Sequence, residues 1–343
     1  MITPQAALNR LIDHNELFYD EMLWLMRQIM TGEIAPELTA AILIGLRVKV
    51  ESVAEIAAAA TVMRELATPV PIKNRTHLVD IVGTGGDGIH TFNISTAASF
   101  VTAAVGGRVA KHGNRAVSST SGSADVLEAL GIALDLSPAA IGQCVDEIGI
   151  GFMFAPHHHI AMKNIMPIRQ TLGVRTLFNI LGPLTNPADA TREVMGVFHR
   201  DLVGIQARVL QSLGSEHVMV VHGLDGMDEI TLTDKTLVAE LKNGLIHEYE
   251  IDPRDYGFDY CTLNALQLGT AQAKDKLLQV LHNTPGPARD IVVLNAGAAI
   301  YVAGLAETYA QGIVLAQEAL ANGSAYQKLD QLIEFSQQAE RVS

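Results

Sequence analysis

A chain of 343 residues, 48% hydrophobic and 18% charged, has enough apolar material for one large or two medium cores, which excludes a disordered or fibrous protein. The formal net charge is −13, and outside a short basic turn at Lys111–Arg115 there is no basic stripe, which argues against a nucleic-acid-binding surface. The two cysteines, Cys144 and Cys261, are far apart and have no metal-ligand spacing, so they read as reduced thiols of a cytoplasmic protein.

Residues 4 to about 67 carry only helical periodicity. Leu8, Leu11 and Ile12 form a first stripe, and Phe18, Met22, Leu25, Met26 and Ile29 a second before Gly32. Ala40, Leu43, Ile44 and Leu46 follow Pro36, and Val53, Ile56, Ala57, Ala60 and Met63 make a fourth. Four short helices cannot bury all of this apolar surface, so a homodimer through this region is expected. Thr68-Pro69-Val70-Pro71 then punctuates the chain. From Leu78 onward short apolar runs alternate with helical patterns: Val79–Val82, Arg108–Ala110, Val194–Val197, Val218–Val221 and Ile291–Leu294. The alternation predicts an α/β fold, with a small all-helical domain and a larger domain built on a mostly parallel central sheet. A helix from about Ala161 to Leu172 and a shorter one before Gly182-Pro183 interrupt it. The expected division is 1–70 and 71–343, with 160–187 packing back on the helical part. The N-terminus has no signal-peptide pattern, and the apolar stretch Ile291–Leu305 is too short and broken to span a bilayer, so no membrane association is expected.

Two turns carry the chemistry. Val82-Gly83-Thr84-Gly85-Gly86-Asp87-Gly88 lies between an expected strand and a helix starting near Asn93, where backbone N–H groups and a helix N-terminus favour an anion. Lys111-His112-Gly113-Asn114-Arg115 adds two cations, with Ser118, Ser119, Thr120 and Ser121 just beyond. Two adjacent anion-binding turns suit a ligand with more than one phosphate. Gly83-x-Gly85-x-x-Gly88 also fits the dinucleotide fingerprint, but four residues separate Gly88 from the helix and no acid follows from Ile89 to Thr120. Only a 2′-phosphorylated nicotinamide cofactor tolerates Lys111 and Arg115 there. Ser121-Gly122-Ser123 reads as a helix cap or a further anion site. Asp228 and Glu229 read as a solvated pair or, beside phosphate turns, as ligands of Mg²⁺. His157-His158-His159 cannot converge on one ion and reads as a site-lining loop. Arg169 is either a solvated helix arginine or a carboxylate clamp.

Gly83-Thr84-Gly85-Gly86-Asp87, Lys111-His112-Gly113-Asn114-Arg115, Ser121-Gly122-Ser123-Ala124-Asp125, Phe178–Pro187, Asp228-Glu229-Ile230 and Asn295-Ala296-Gly297-Ala298 together resemble the anthranilate phosphoribosyltransferase family of tryptophan biosynthesis. The resemblance spans nearly the whole chain. It implies a fold like that of class III phosphoribosyltransferases and pyrimidine nucleoside phosphorylases, and a homodimer joined through the helical part. It implies that phosphoribosyl pyrophosphate and anthranilate are the substrates and Mg²⁺ the cofactor. By motif match, Gly83, Gly86, Asp87, Thr91, Asn93, Ile94, Ser95, Thr96, Lys111, His112, Gly113, Asn114, Arg115, Ala116, Val117, Ser118, Ser119 and Ser123 would hold the donor. Ser95, Asp228 and Glu229 would hold Mg²⁺, and Gly83, Asn114 and Arg169 would contact anthranilate.

The chemistry of such a transfer agrees with these residues. Breaking the C1′–pyrophosphate bond builds negative charge on the leaving group, which preorganised positive charge stabilises. The aromatic amine of anthranilate is neutral at pH 7 and chiefly needs positioning. No general base is assigned, and His112 is a candidate proton acceptor. A pyrimidine nucleoside phosphorylase of the same fold class and a nucleic-acid-binding relative are the rival readings.

Overall fold

The structure, a computed structural model, describes residues 2–116, 121–267 and 272–340. Each of the first four helices begins at a local start signal. Thr3 caps α1 (Pro4–Ile12), its hydroxyl accepting from the Ala6 N–H at 3.2 Å. α2 (Tyr19–Thr31) opens with Glu21 reaching back to the Phe18 N–H at 2.9 Å, and ends at Gly32, whose φ of 78° is left-handed. α3 (Pro36–Lys49) opens on proline, and α4 (Val53–Glu65) on a Ser52/Glu55 capping box. The stripes face inward: Leu11, Met22, Leu25, Leu43, Leu46 and Ile56 are buried.

The remainder alternates strand and helix. β1 (Leu78–Gly83), α5 (Ile94–Ala104), β2 (Arg108–Gly113), α6 (Ser123–Ala129), α7 (Pro138–Ile148) and β3 (Ile150–Phe154) come first. A run of short helices follows: α8 (Ala155–His158), a 3₁₀ turn at Ile160–Asn164, α9 (Met166–Leu172) and α10 (Phe178–Leu181). Then come β4 (Arg192–Gly196), α11 (Leu202–Ser212), β5 (His217–Gly223), the hairpin β6 (Thr236–Lys242) and β7 (Leu245–Ile251), and the helices α12 (Ala273–Leu281), α13 (Pro287–Val302), α14 (Tyr309–Ala321) and α15 (Ser324–Glu340).

The seven strands lie in the order β3-β2-β1-β4-β5-β6-β7, parallel through β5 and antiparallel thereafter. Alternate side chains go to opposite faces. Val79, Ile81, Met219 and Val221 share a core with α5 and α13, while Val218 and Val220 share one with α11 and the N-terminal helices. The second core also takes in Ile165, Leu177, Phe178 and Leu184. Chain order reverses between β1 and β4, and the crevice beyond their carboxyl ends is where open α/β sheets bind ligands.

β1 and β2 are joined by two register pairs only, Leu78–Arg108 and Val79–Val109. Past that point side chains replace the ladder. Asn186 Nδ2 donates to Asp80 Oδ2 at 2.6 Å and to the Ala110 carbonyl at 2.9 Å. Lys111 Nζ donates to the Ile81 carbonyl at 2.5 Å, and the His112 N–H donates to Asp80 Oδ1 at 3.3 Å.

Three expectations are corrected. Ile291–Leu294 is not a strand but part of α13, buried on every side; an all-apolar run has no period to separate a buried helix from a strand. β3, β6 and β7 went unanticipated. The helix expected over 161–172 is broken at Ile165, where the 3₁₀ turn gives way to α9 just before Pro167.

Candidate active site

Gly83 and Gly196 are register partners at the carboxyl ends of β1 and β4. The loop after β5 lays Asp228 against both. A Cβ on Gly83 would stand 2.6 Å from Asp228 Oδ2, and one on Gly196 only 1.6 Å from the Asp228 carbonyl oxygen. The loop is pinned from beneath by buried Asn295 of α13, which accepts from the Ile230 N–H and donates to the Ile230 carbonyl, both at 2.9 Å.

Asp228 and Glu229 thereby reach the glycine loop and the start of α5. The Gly85 N–H donates to Asp228 Oδ2 at 2.8 Å, and the Ser95 N–H to Glu229 Oε1 at 3.2 Å. Burial, and then the nearby Asp87 carboxylate, pushes Asp228 up to about 7. Burial, and then Asp228, pushes Glu229 up to about 8. Crowded carboxylates of this kind want a cation. Together with Ser95 Oγ, which accepts from Lys111 Nζ at 3.2 Å and whose residue holds Glu229 by its N–H, the carboxylates offer an all-oxygen donor set, which fits Mg²⁺.

The glycine loop faces them. Gly85, Gly86 and Gly88 have φ of 64°, 74° and 77°, which a glycine adopts without strain. Among the described residues the N–H groups of Gly86, Asp87 and Gly88 have no partner, and they are free to meet an anion. Thr91 bridges to Gln267, whose side chain donates to the Ile89 carbonyl at 2.8 Å. Asn93 Nδ2 donates to the Ser121 carbonyl at 3.1 Å, while Asn93 Oδ1 and Thr96 Oγ1 are buried with no partner among the described residues. Ile94 lies in the core, so only its backbone can face a ligand.

Neither cation of the basic turn is free here. Lys111 is buried on the Ile81 carbonyl and Ser95; burial lowers its pKa, against the pull of Asp80, Glu229 and Asp228. Arg115 is exposed and paired with Asp125 at 3.1 Å and Glu128 at 2.7 Å. Asp125 also accepts from the Ala116 and Gly122 N–H groups at 2.9 Å each. Asn114 is exposed, its Oδ1 accepting from the Arg115 N–H at 2.8 Å. A Cβ on Gly113 would strike Ser123 Oγ at 2.1 Å. Val117, Ser118 and Ser119 lie outside the described residues.

His112 is buried, with Nδ1 3.9 Å from Asp80 Oδ2 and its ring edge-on to His159 at 5.6 Å. Burial, followed by His159 and Lys111, takes it down to about 3, so it is neutral at pH 7 and a weak base. The three consecutive histidines diverge: His157 toward Asp135, His158 onto the Thr68 carbonyl, His159 toward Thr185. Arg169 is half-buried on α9, 5.8 Å above the Phe178 ring, with no carboxylate partner among the described residues.

A model of the glycosyl transferase family, helical bundle domain, matches residues 5–67, and one of the glycosyl transferase family, a/b domain, matches 75–326. The anthranilate phosphoribosyltransferase of Chromobacterium violaceum is 68% identical over 337 residues, 98% of each chain. The chain belongs to the anthranilate phosphoribosyltransferase family. The crystal structure of the Thermus thermophilus anthranilate phosphoribosyltransferase is 42% identical, with a TM-score of 0.90 over 96% of this chain and 99% of that one. The Saccharomyces cerevisiae anthranilate phosphoribosyltransferase, solved in complex with PRPP and Mg, shares the fold at a TM-score of 0.88 and 24% identity, over 98% of each chain.

Two residues that sequence reasoning missed also reach the glycine loop. Arg175, after α9, donates from its guanidinium to the Gly86 carbonyl and stacks 4.0 Å from the Phe198 ring centroid. The Phe198 N–H donates to Thr84 Oγ1 at 3.0 Å. No local pattern marks them, because both contacts join segments about a hundred residues apart.

Proposed function

We propose that this chain transfers the phosphoribosyl group of 5-phosphoribosyl 1-pyrophosphate to the amine of anthranilate, releasing pyrophosphate. The observation that carries the reading is that Asp228 and Glu229 are held on the Gly85 and Ser95 N–H groups at the β1/β4 switch point, beside Gly86–Gly88 N–H groups that have no partner among the described residues.

Asp228, Glu229 and Ser95 would hold Mg²⁺, which when bound supplies a charge clamp and template for the pyrophosphate. The glycine loop and the N-terminus of α5 receive phosphate oxygens through backbone N–H groups. Thr91, Asn93, Thr96, residues 111–119 and Ser123 complete the donor side. As the C1′–O bond breaks, negative charge grows on oxygens these donors already face, which lowers the barrier. The amine nitrogen forms the new bond to C1′ as pyrophosphate leaves with the electron pair of the C1′–O bond, and the nitrogen's proton passes to water. Arg169, with no acidic partner among the described residues, clamps the anthranilate carboxylate, while Gly83 and Asn114 bound the acceptor side. No residue is assigned as general base.

We further propose that residues 1–70 form the helical domain and 71–343 the donor-binding one, with 160–187 packing back on the helical domain, and that the enzyme is a cytoplasmic homodimer joined through its helical part. Ile12, Phe18, Val48 and Val50 leave more than half their surface exposed there. No described helix is long and apolar enough to cross a membrane.

Incubation with anthranilate, phosphoribosyl pyrophosphate and Mg²⁺ tests the reaction. Loss of anthranilate fluorescence that needs all three components is the expected result, and no loss overturns it.

A further inference from the structure

We propose that Arg175 is a positioning residue that locks the Gly86–Asp87 peptide in the orientation the donor needs, and that it does so from the chain segment carrying the acceptor clamp. The inference rests on the donor reading given above. Gly85 and Gly86 are both in the left-handed region, where a glycine turns over at little cost. In a trans peptide the carbonyl of one residue and the N–H of the next point in opposite directions. With the Gly86 carbonyl held by the Arg175 guanidinium, the Asp87 N–H must point to the other side. If that peptide flipped, a carbonyl lone pair would take the place of a donor, and an anion would meet repulsion instead of a hydrogen bond.

The latch is itself anchored. The guanidinium lies close enough to the Phe198 ring for a 4.0 Å cation–π contact. The Phe198 N–H holds Thr84 Oγ1, and the Thr84 N–H donates to the Gly196 carbonyl at 2.9 Å. Arg175 has no carboxylate partner among the described residues, so its charge acts on this carbonyl and on the field of the loop. It follows Gly173, which ends α9 with φ of 61°, and lies on the same segment as Arg169. Donor loop and acceptor helix are thus tied by one side chain.

The test uses Arg175→Met, which keeps length and packing but cannot donate, and Arg175→Lys, which still can. Each is assayed for the KM of phosphoribosyl pyrophosphate at saturating anthranilate, and for the rise in melting temperature caused by phosphoribosyl pyrophosphate with Mg²⁺. Losing one charge-assisted hydrogen bond corresponds to about 10- to 150-fold. Arg175→Met should therefore raise the donor KM by roughly 10-fold or more, shrink the donor-induced thermal shift, and leave the ligand-free melting temperature near that of the parent. Arg175→Lys should recover most of the affinity. A parental donor KM and thermal shift in Arg175→Met overturn the proposal, as does a lysine variant no better than the methionine one. If Arg175→Met does not fold, Phe198→Leu, which removes the stacking anchor, must weaken donor binding in the same way or the proposal falls. Should the parent enzyme itself show no transfer, the reaction reading fails separately, and the thermal shift still decides the latch.

Discussion

The Gly85 N–H donates to Asp228 Oδ2 at 2.8 Å across 143 residues of sequence, so the glycine loop and the acidic loop are one unit. Asp228→Asn keeps an oxygen to accept that bond and removes the charge. Turnover should fall by at least about 100-fold, the scale of one lost electrostatic contact to developing charge. The ligand-free melting temperature should hold or rise, because like-charge crowding with Asp87 and Glu229 is relieved. Fluorescence assay and thermal melts measure the two effects. A fall of more than about 5 °C would assign the carboxylate to the fold instead.

Gly83 and Gly196 press on the same residue but should fail differently. Alanine at 83 meets a carboxylate tip at 2.6 Å, which can swing aside, so activity drops more than stability. Alanine at 196 meets the Asp228 backbone oxygen at 1.6 Å, so β4 or the acidic loop must move, at a cost of about 3 kcal/mol. Urea midpoints of the two variants should separate clearly, and equal midpoints would contradict this geometry.

Arg169→Ala should lower kcat/KM for anthranilate by roughly 10- to 150-fold, the worth of hydrogen bonds to a charged carboxylate. The KM for phosphoribosyl pyrophosphate should change much less. Equal loss on both substrates would make Arg169 a packing residue on Phe178.

Glu240, on β6, gives a pH dependence. Burial raises its pKa, but hydrogen bonding with His217 at 3.0 Å, Tyr301 at 2.7 Å and Tyr249 at 2.9 Å outweighs burial and takes it from 4.5 down to about 2. A depressed carboxyl stabilises the fold above its unfolded pKa, and that contribution is lost as pH falls from about 4.5 toward 2. Glu240→Gln should cost about 1–3 kcal/mol at pH 7 and flatten the stability curve over that acid window. Urea midpoints measured from neutral pH down through that window check it, and an unchanged acid limb would refute it.

Sedimentation should give twice the 36.8 kDa chain mass. Phe18→Glu, at a side chain 69% exposed at the start of α2, should shift the distribution toward the monomer with the helical signal intact. A parent that sediments as a monomer at micromolar concentration would remove the dimer.

Local chemistry carried far in this chain. Helical stripes, capping residues and the turn between β1 and α5 announce themselves within a few positions, and so do the adjacent acids at 228 and 229. What depends on distant pairing does not. Arg115 reads as a free cation until Asp125 and Glu128 on α6 are seen to claim it. Ile291–Leu294 reads as a strand because full burial erases periodicity. β7 is an edge strand with exposed and half-exposed residues along most of its length, so its sequence lacks the apolar run that marks β5.

The sparse ladder between β1 and β2 bears on how this protein can change over generations. A rung made of peptide groups survives almost any substitution, because every residue but proline supplies it. Between these strands the rungs past Val79 come from Asp80, Lys111 and Asn186, and each is specified by one codon. Drift is therefore constrained at two positions in the sheet and at Asn186, in the loop before β4, for reasons of strand spacing, even where no ligand touches them. An engineer who holds only ligand-contacting residues fixed would free Asn186, and with it the distance between the two turns that flank the crevice.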